Sequence, residues 1–395
     1  MRNVCLYFNL HQPNRLKPYD FFQIGHDHFY EDDKLNKEFL DKISNDCYLT
    51  MNAIMMENIN KLGKDFKFCL SISGTLLEQM ENHRPDVLQS FIELSRTGQV
   101  EFIGQTYYHS LAYLNSLPEF ERQVKKHNSK IQEHFGQTPK VFRNTGMIYC
   151  NDLAGRLENL GFDGVLAEGL PQYLMGRSPN YLYTAPHTKN IKTILKNDKL
   201  SADFTHKFAD QSWNEYPLTA EKYANWIAND MGDCVNIYMP YETFGQHLSA
   251  ETGAFNFIKN LPYELKKQKV NFLTASDQIQ QSKVKEVFDV HLPVSWRDTE
   301  KDLSAWSGNN MQKEALQKLY SLEETVINSK DENLIHAWSK LQTSDHFYYL
   351  NTKTAEDGKT RDYLSPYDSP YSGYIYYMNA LADLEITCKE KMNIQ

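Results

Sequence analysis

Short apolar runs alternate with longer helical patterns from the start of the chain to about Thr274. Asn3–Leu10, Lys67–Ser73, Val100–Ile103, Lys140–Thr145, Asp163–Ala167, Ile191–Lys196, Cys234–Met239 and Val270–Thr274 read as strands. Between them, Asp33–Leu62, Pro85–Thr97, Pro118–Phe135, Asn151–Leu160 and Ala220–Asn229 carry helical periodicity. Pro118 suits a first helical turn, where its missing N–H is not needed. Gly161 suits a helix C-cap. Strands joined through helices must run parallel, and such a sheet closes readily into a barrel. The pattern predicts seven or eight strands in residues 1–282. After Ser282 the chain becomes irregular, then helical over Lys313–Ser329, Glu332–Thr343 and Ile375–Lys391, with a polar aromatic loop before the last of these. Residues 283–395 are expected to form a helical region packed on the barrel.

The polar clusters share one position. His11-Gln12-Pro13, Gln105–Ser110, Arg143–Met147 and Pro240–His247 each follow a strand. The carboxyl ends of parallel barrel strands open on one face, where barrel enzymes build their sites. These four loops are therefore expected to converge.

Bulk properties narrow the partners. The chain has 395 residues, 41% apolar and 24% charged, as expected of an ordinary globular protein with a large core. A net charge of −9 speaks against nucleic acid or an anionic membrane, which need basic patches. The 25 tyrosines suit sugar-stacking surfaces as well as ordinary packing. The six cysteines form no C-x-x-C pair and several lie in strand-like runs, which suggests buried free thiols and a cytoplasmic protein. No apolar stretch reaches the ~20 residues of a membrane span. His26-x-His28 lacks the further ligands of a zinc site, so neither metal nor cofactor is expected.

The motifs resemble those of glycoside hydrolase family 57, in its α-amylase-type branch. The resemblance is carried by "HQP" at 11–13, "GQVEFIGQTYYHS" at 98–110, "VFRNTGMIY" at 141–149, "MPYETFGQH" at 239–247 and "SWRDTEKDLSAWSGN" at 295–309. "LQTSDHFYYL" and "SPYDSPY" nearer the C-terminus fit the same branch. It implies an incomplete (β/α)7 barrel followed by a helical bundle, an α-glucan substrate, and retaining chemistry. Such chemistry needs two carboxyl groups about 5–5.5 Å apart. The resemblance assigns the nucleophile to position 146 and the acid/base to position 240. Here these are Gly146 and Pro240. Both carboxylates are missing from surroundings that remain.

The resemblance leaves His11, Gln12, Tyr108, His109, Arg143, Glu242, His247, Trp296, Asp298 and Trp306 as candidate contacts to α-glucan or maltooligosaccharide. Tyr107 and Tyr108 are neighbours, so alternation predicts that one of them packs away from the cleft. Arg143 would orient a carboxylate now absent, or else pair with Glu101 or Glu242. Trp296 and Trp306 are expected to divide between stacking on sugar and packing. The leading expectation is a catalytically inactive glucan-binding or regulatory homologue. A second is an active hydrolase or glucanotransferase with relocated carboxylates, such as Glu242 and Asp298. A third is an assembly partner of an active paralogue, or a homo-oligomer, with a vestigial cleft.

Overall fold

The computed structural model describes residues 2–353 and 365–394. Part of the polar aromatic loop lies outside these residues. The described residues contain ten strands: β1 Arg2–Leu10, β2 Phe68–Ile72, β3 Val100–Phe102, β4 Val141–Arg143, β5 Gly164–Glu168, β6 Leu182–Thr184, β7 Lys192–Lys196, β8 Cys234–Pro240, β9 Val270–Phe272 and β10 Val284–Val287. They form two five-stranded sheets, β3-β2-β1-β8 with β9 also on β1, and β10-β6-β7-β5-β4.

Two narrow seams join the sheets. After β3, Gly104 N–H donates to Val141 O at 2.9 Å, and Arg143 N–H donates back to Gly104 O at 2.8 Å. At the other seam Asn197 N–H donates to Asn236 O at 2.8 Å, and Asn236 Nδ2 donates to Leu195 O at 3.1 Å. The staves therefore run β1-β2-β3-β4-β5-β7-β8 and return to β1, an incomplete (β/α)7 barrel. The short strands β6 and β10 were not evident in the sequence. β6 runs antiparallel to β7 and pairs with only its first residues. β10 extends that sheet beyond residue 282.

The predicted helices form, with some division. Ala220–Asn229 forms as expected. Asp33–Leu62 is split into Asp33–Ile43 and Leu49–Leu62 by a π-type turn at Ser44–Tyr48. That turn places Tyr48 beneath the barrel mouth. Asp32 caps the first of these helices, and Ser116 caps Leu117–Phe135, each accepting a backbone N–H. The C-terminal region is helical over Asn310–Ser321, Glu323–Asn328, Glu332–Leu341, Ser344–Tyr349 and Pro370–Ile394. Its core is shared with the barrel loops: Leu16, Tyr19, Tyr30, Leu111 and Ile148 pack in one cluster with Trp306, Trp338, Phe347 and Leu381. Among the described residues no helix is long and apolar enough to cross a membrane.

Candidate functional site

Alternation along the staves divides the barrel interior into two levels. The lower level is apolar, from Cys5, Cys69, Val141, Leu166, Ile194 and Cys234. Two residues further along each stave the same inward direction brings Tyr7, Ser71, Arg143, Glu168, Lys196 and Asn236. The mouth of the barrel is thus lined by polar groups, all of them buried.

Glu168 and Lys196 were missed in the sequence because each is the last residue of a strand that reads as an apolar run. Lys196 Nζ lies 2.8 Å from Glu168 and 2.9 Å from Asp198. Burial raises the Glu168 pKa to about 7, against the pull of Lys196. Glu168 Oε1 has no hydrogen-bond partner.

His11 and Glu242 meet at the end of β1. The His11 ring lies between Ser73 Oγ at 2.8 Å and Asp345 Oδ2 at 3.0 Å. It stacks on His109, with centroids 4.1 Å apart. His109 Nδ1 lies 3.1 Å from Gln105 Oε1, and burial depresses its pKa well below the usual histidine value. Glu242 Oε1 accepts from the His11 backbone N–H at 3.3 Å and from Tyr48 Oη at 2.7 Å. Burial lifts the Glu242 pKa to about 7, although the Tyr48 hydrogen bond favours the ionised form. Gln12 lies beside this group and accepts from Arg15 Nη2 at 3.0 Å.

Position 146 is closed. Gly146 has φ +57°, and a Cβ built there would lie 2.2 Å from Cη2 of Trp306. Trp306 is 5% exposed and belongs to the core of the helical region. The partly exposed Trp296 donates its backbone N–H to Gly146 O at 3.1 Å. Its ring meets the Tyr238 ring edge-on at 5.6 Å. Pro240 ends β8 in register with Asn9. The 295–309 motif therefore lies over the position where the resemblance puts a nucleophile.

Other candidates sit further off. Tyr107 and Tyr108 both pack under Lys126, whose Nζ lies 3.9 and 4.6 Å from their ring centroids. The expected alternation fails because this segment is a turn, with His109 at φ 52°. Tyr108 Oη reaches His336 Nδ1 at 3.2 Å, away from Gly146. His247 is exposed, and its backbone N–H donates to Glu242 O at 3.1 Å. Asp298 is partly exposed, in a left-handed turn at φ 55°. Arg143 forms an ion pair with neither Glu101 nor Glu242. Glu101 instead accepts from Ser276 Oγ at 2.6 Å and Ser276 N–H at 2.9 Å. Two surface concavities, of about 280 and 230 Å³, are lined by none of the candidate residues. The one acidic and histidine group close enough for a metal, Glu81, Glu133 and His134, lies on outer helices among the described residues. Lys130 Nζ already sits 2.6 Å from Glu81 and 3.5 Å from Glu133.

The sequence profile of glycosyl hydrolase family 57 matches residues 5–292. The chain belongs to this family. A "Putative alpha-amylase" of Methanocaldococcus jannaschii is 39% identical over 98% of this chain and 85% of its own length. Among solved structures, the branching enzyme of Pyrococcus horikoshii, described as of the same family type, superposes with a TM-score of 0.70. The match is 13% identical and covers 100% of this chain and 95% of that one. The 4-alpha-glucanotransferase of Thermococcus litoralis gives 0.64 at 15% identity. That match covers 88% of this chain and 56% of the other, so this chain spans about half of that enzyme. At these identities the structural matches establish the fold alone.

Proposed function

We propose that this chain is an α-glucan-binding family 57 protein that has lost retaining hydrolysis. The observation that carries the reading is the packing of Trp306 on Gly146. A lost carboxylate leaves a vacancy if nothing else changes. Here an indole occupies the space that any side chain at 146 would enter, and Pro240 offers no proton. The α-glucan part rests on family membership and on the names of the relatives. His11, Gln12, His109, Arg143, Glu242, His247, Trp296 and Asp298 remain the proposed contact set; Tyr108, packed under Lys126, and the buried Trp306 fall outside it. The six cysteines are free and buried, which supports a cytoplasmic setting.

Calorimetric titration of maltooligosaccharides, with prolonged hydrolysis assays on the same samples, tests this reading. Binding without turnover is the expected result. Turnover that disappears in Glu168→Gln or Glu242→Gln would instead favour relocated carboxylates. The specific support for that second reading is that both groups are buried at the mouth with pKa values raised to about 7, the range useful to a general acid. Neither binding nor turnover, with copurification of an active paralogue, would favour a vestigial assembly partner.

A further inference from the structure

Arg143 is a buried cation with no ion-pair partner among the described residues, although its charge acts on Glu242. It is 1% exposed at the end of β4. Its Nη2 donates to Tyr238 Oη at 3.2 Å, and its guanidinium carbon lies 5.3 Å from that ring. Its Nε and Nη1 have no hydrogen-bond partner, and it forms no ion pair among the described residues. A buried guanidinium calls for an anion or a full set of hydrogen bonds around it. The nearby carboxylates are engaged elsewhere: Glu242 by His11 and Tyr48, Glu168 by Lys196, and Glu101 by Ser276. Lys196, the other inward cation, is matched by Glu168 and Asp198. Three residues past Arg143, Gly146 supplies no carboxylate.

Other buried polar groups near the barrel mouth also lack partners. Tyr7 Oη, Ser71 Oγ and Gln105 Nε2 are buried donors without acceptors. The Tyr7 ring lies 5.4 Å from the Tyr238 ring that Arg143 touches. Buried polar groups are nearly always satisfied. Water could satisfy the neutral donors but would leave the charge of Arg143 uncompensated.

We propose that the interior of the barrel mouth binds an oxyanion at Arg143. The group is a carboxylate or phosphate, either as a free small anion or as the acidic substituent of a sugar. The mouth of this protein would then select for negative charge, although its relatives are named for activity on neutral glucans. The assignment stands apart from the glucan reading, because a response to inorganic phosphate supports it whether or not maltooligosaccharides bind.

The test is thermal unfolding of the full chain in inorganic phosphate, glucuronate or glucose, at matched pH and ionic strength. Phosphate or glucuronate well above its dissociation constant should raise Tm by about 2–4 °C or more, with glucose matching neither. A stronger response to glucuronate identifies an acidic sugar, and an equal or stronger one to phosphate a free anion. Arg143→Met should abolish the response. No shift with either acid, or a full shift in Arg143→Met, overturns the proposal. If Arg143→Met does not fold, crystals of the unmodified protein soaked in sodium bromide decide. An anomalous peak beside Nε or Nη1 supports the site, and its absence there overturns it.

Discussion

A side chain at position 146 would meet two separate obstacles. Gly146 is left-handed, at φ +57°, which costs a residue with a Cβ roughly 1–2 kcal/mol. A Cβ 2.2 Å from the Trp306 ring also forces that ring to move, an overpacking cost of about 1–3 kcal/mol. Gly146→Ala should therefore destabilise by about 2–5 kcal/mol in chemical denaturation. Combined with Trp306→Ala, the loss should fall short of the sum of the single losses by about 1–3 kcal/mol, because the second change removes the collision. An additive pair would mean that the backbone conformation alone excludes the side chain. Gly146→Glu with Pro240→Asp should accordingly release no reducing sugar from a soluble α-glucan while Trp306 remains. Glu242 gives a prediction in pH at the same scale. Its folded pKa is about 7, above the usual carboxyl value near 4.3. Folding thus binds a proton between these values, and stability from this group is full below about pH 4 and lost as pH rises through 7. Glu242→Gln keeps an acceptor for Tyr48 and His11 without a charge. Its melting temperature should gain on the unmodified protein from pH 5 to about pH 7 and level off above that. A constant difference across that range would count against a buried proton at Glu242.

The helix Ser344–Tyr349 is one of the elements that tie the C-terminal region to the barrel mouth. Ser344 N–H donates to His109 O at 3.0 Å, and Asp345 holds His11. Burial opposes ionisation of Asp345, but the adjacent His11 outweighs it and holds the carboxyl well below its usual range. The sign is therefore opposite to that of Glu242: Asp345 stabilises above about pH 4, and its contribution disappears as pH falls below that. Asp345→Asn should cost about 1–3 kcal/mol at neutral pH. It should also speed amide exchange in residues 344–349 more than in β1. Equal exchange in the two segments would show that the helix is held by its core residues instead. This helix also marks where sequence reading stopped. The strand ends and the loops that follow them were legible, because strands, turns and motifs are written in neighbouring residues. Asp345 lies 334 residues from His11, and Trp306 is 160 positions from Gly146; no local pattern reports such pairs. Glu168 and Lys196 escaped for a different reason. Glu168 lies one residue past the expected strand end at Ala167, and Lys196 closes its strand with no neighbouring motif to single it out. Strands as short as β6 and β10 carry too few residues for alternation to show.

At the scale of the whole molecule, the barrel and the helical region share a core, which bears on how the chain unfolds. Leu16, Tyr19 and Tyr30 follow β1, and Leu111 and Ile148 follow β3 and β4. All five pack with Trp306, Trp338, Phe347 and Leu381 of the helical region. Polar contacts reinforce the junction: Gln123 Nε2 reaches Gln342 Oε1 at 2.8 Å, and Gln342 Nε2 reaches Glu119 Oε1 at 2.9 Å. Tyr30 Oη donates to the buried Asp383 at 2.7 Å. Removing the helical region would expose these side chains and leave Glu119 a buried charge with fewer donors. Buried aliphatic and aromatic side chains contribute about 1.5–3 kcal/mol each, so exposing several would consume most of the roughly 5–15 kcal/mol that holds a typical domain folded. The full chain should therefore melt in one calorimetric transition, with van't Hoff and calorimetric enthalpies in agreement. A chain ending at residue 292, where the family match stops, should show no cooperative transition. Two resolved transitions in the full chain, or a cooperative melt of the shortened one, would mean that the barrel is stable without its helical cover. In that case Trp306 could leave Gly146 without unfolding the barrel, and closure of the mouth would be a conformational state of the protein.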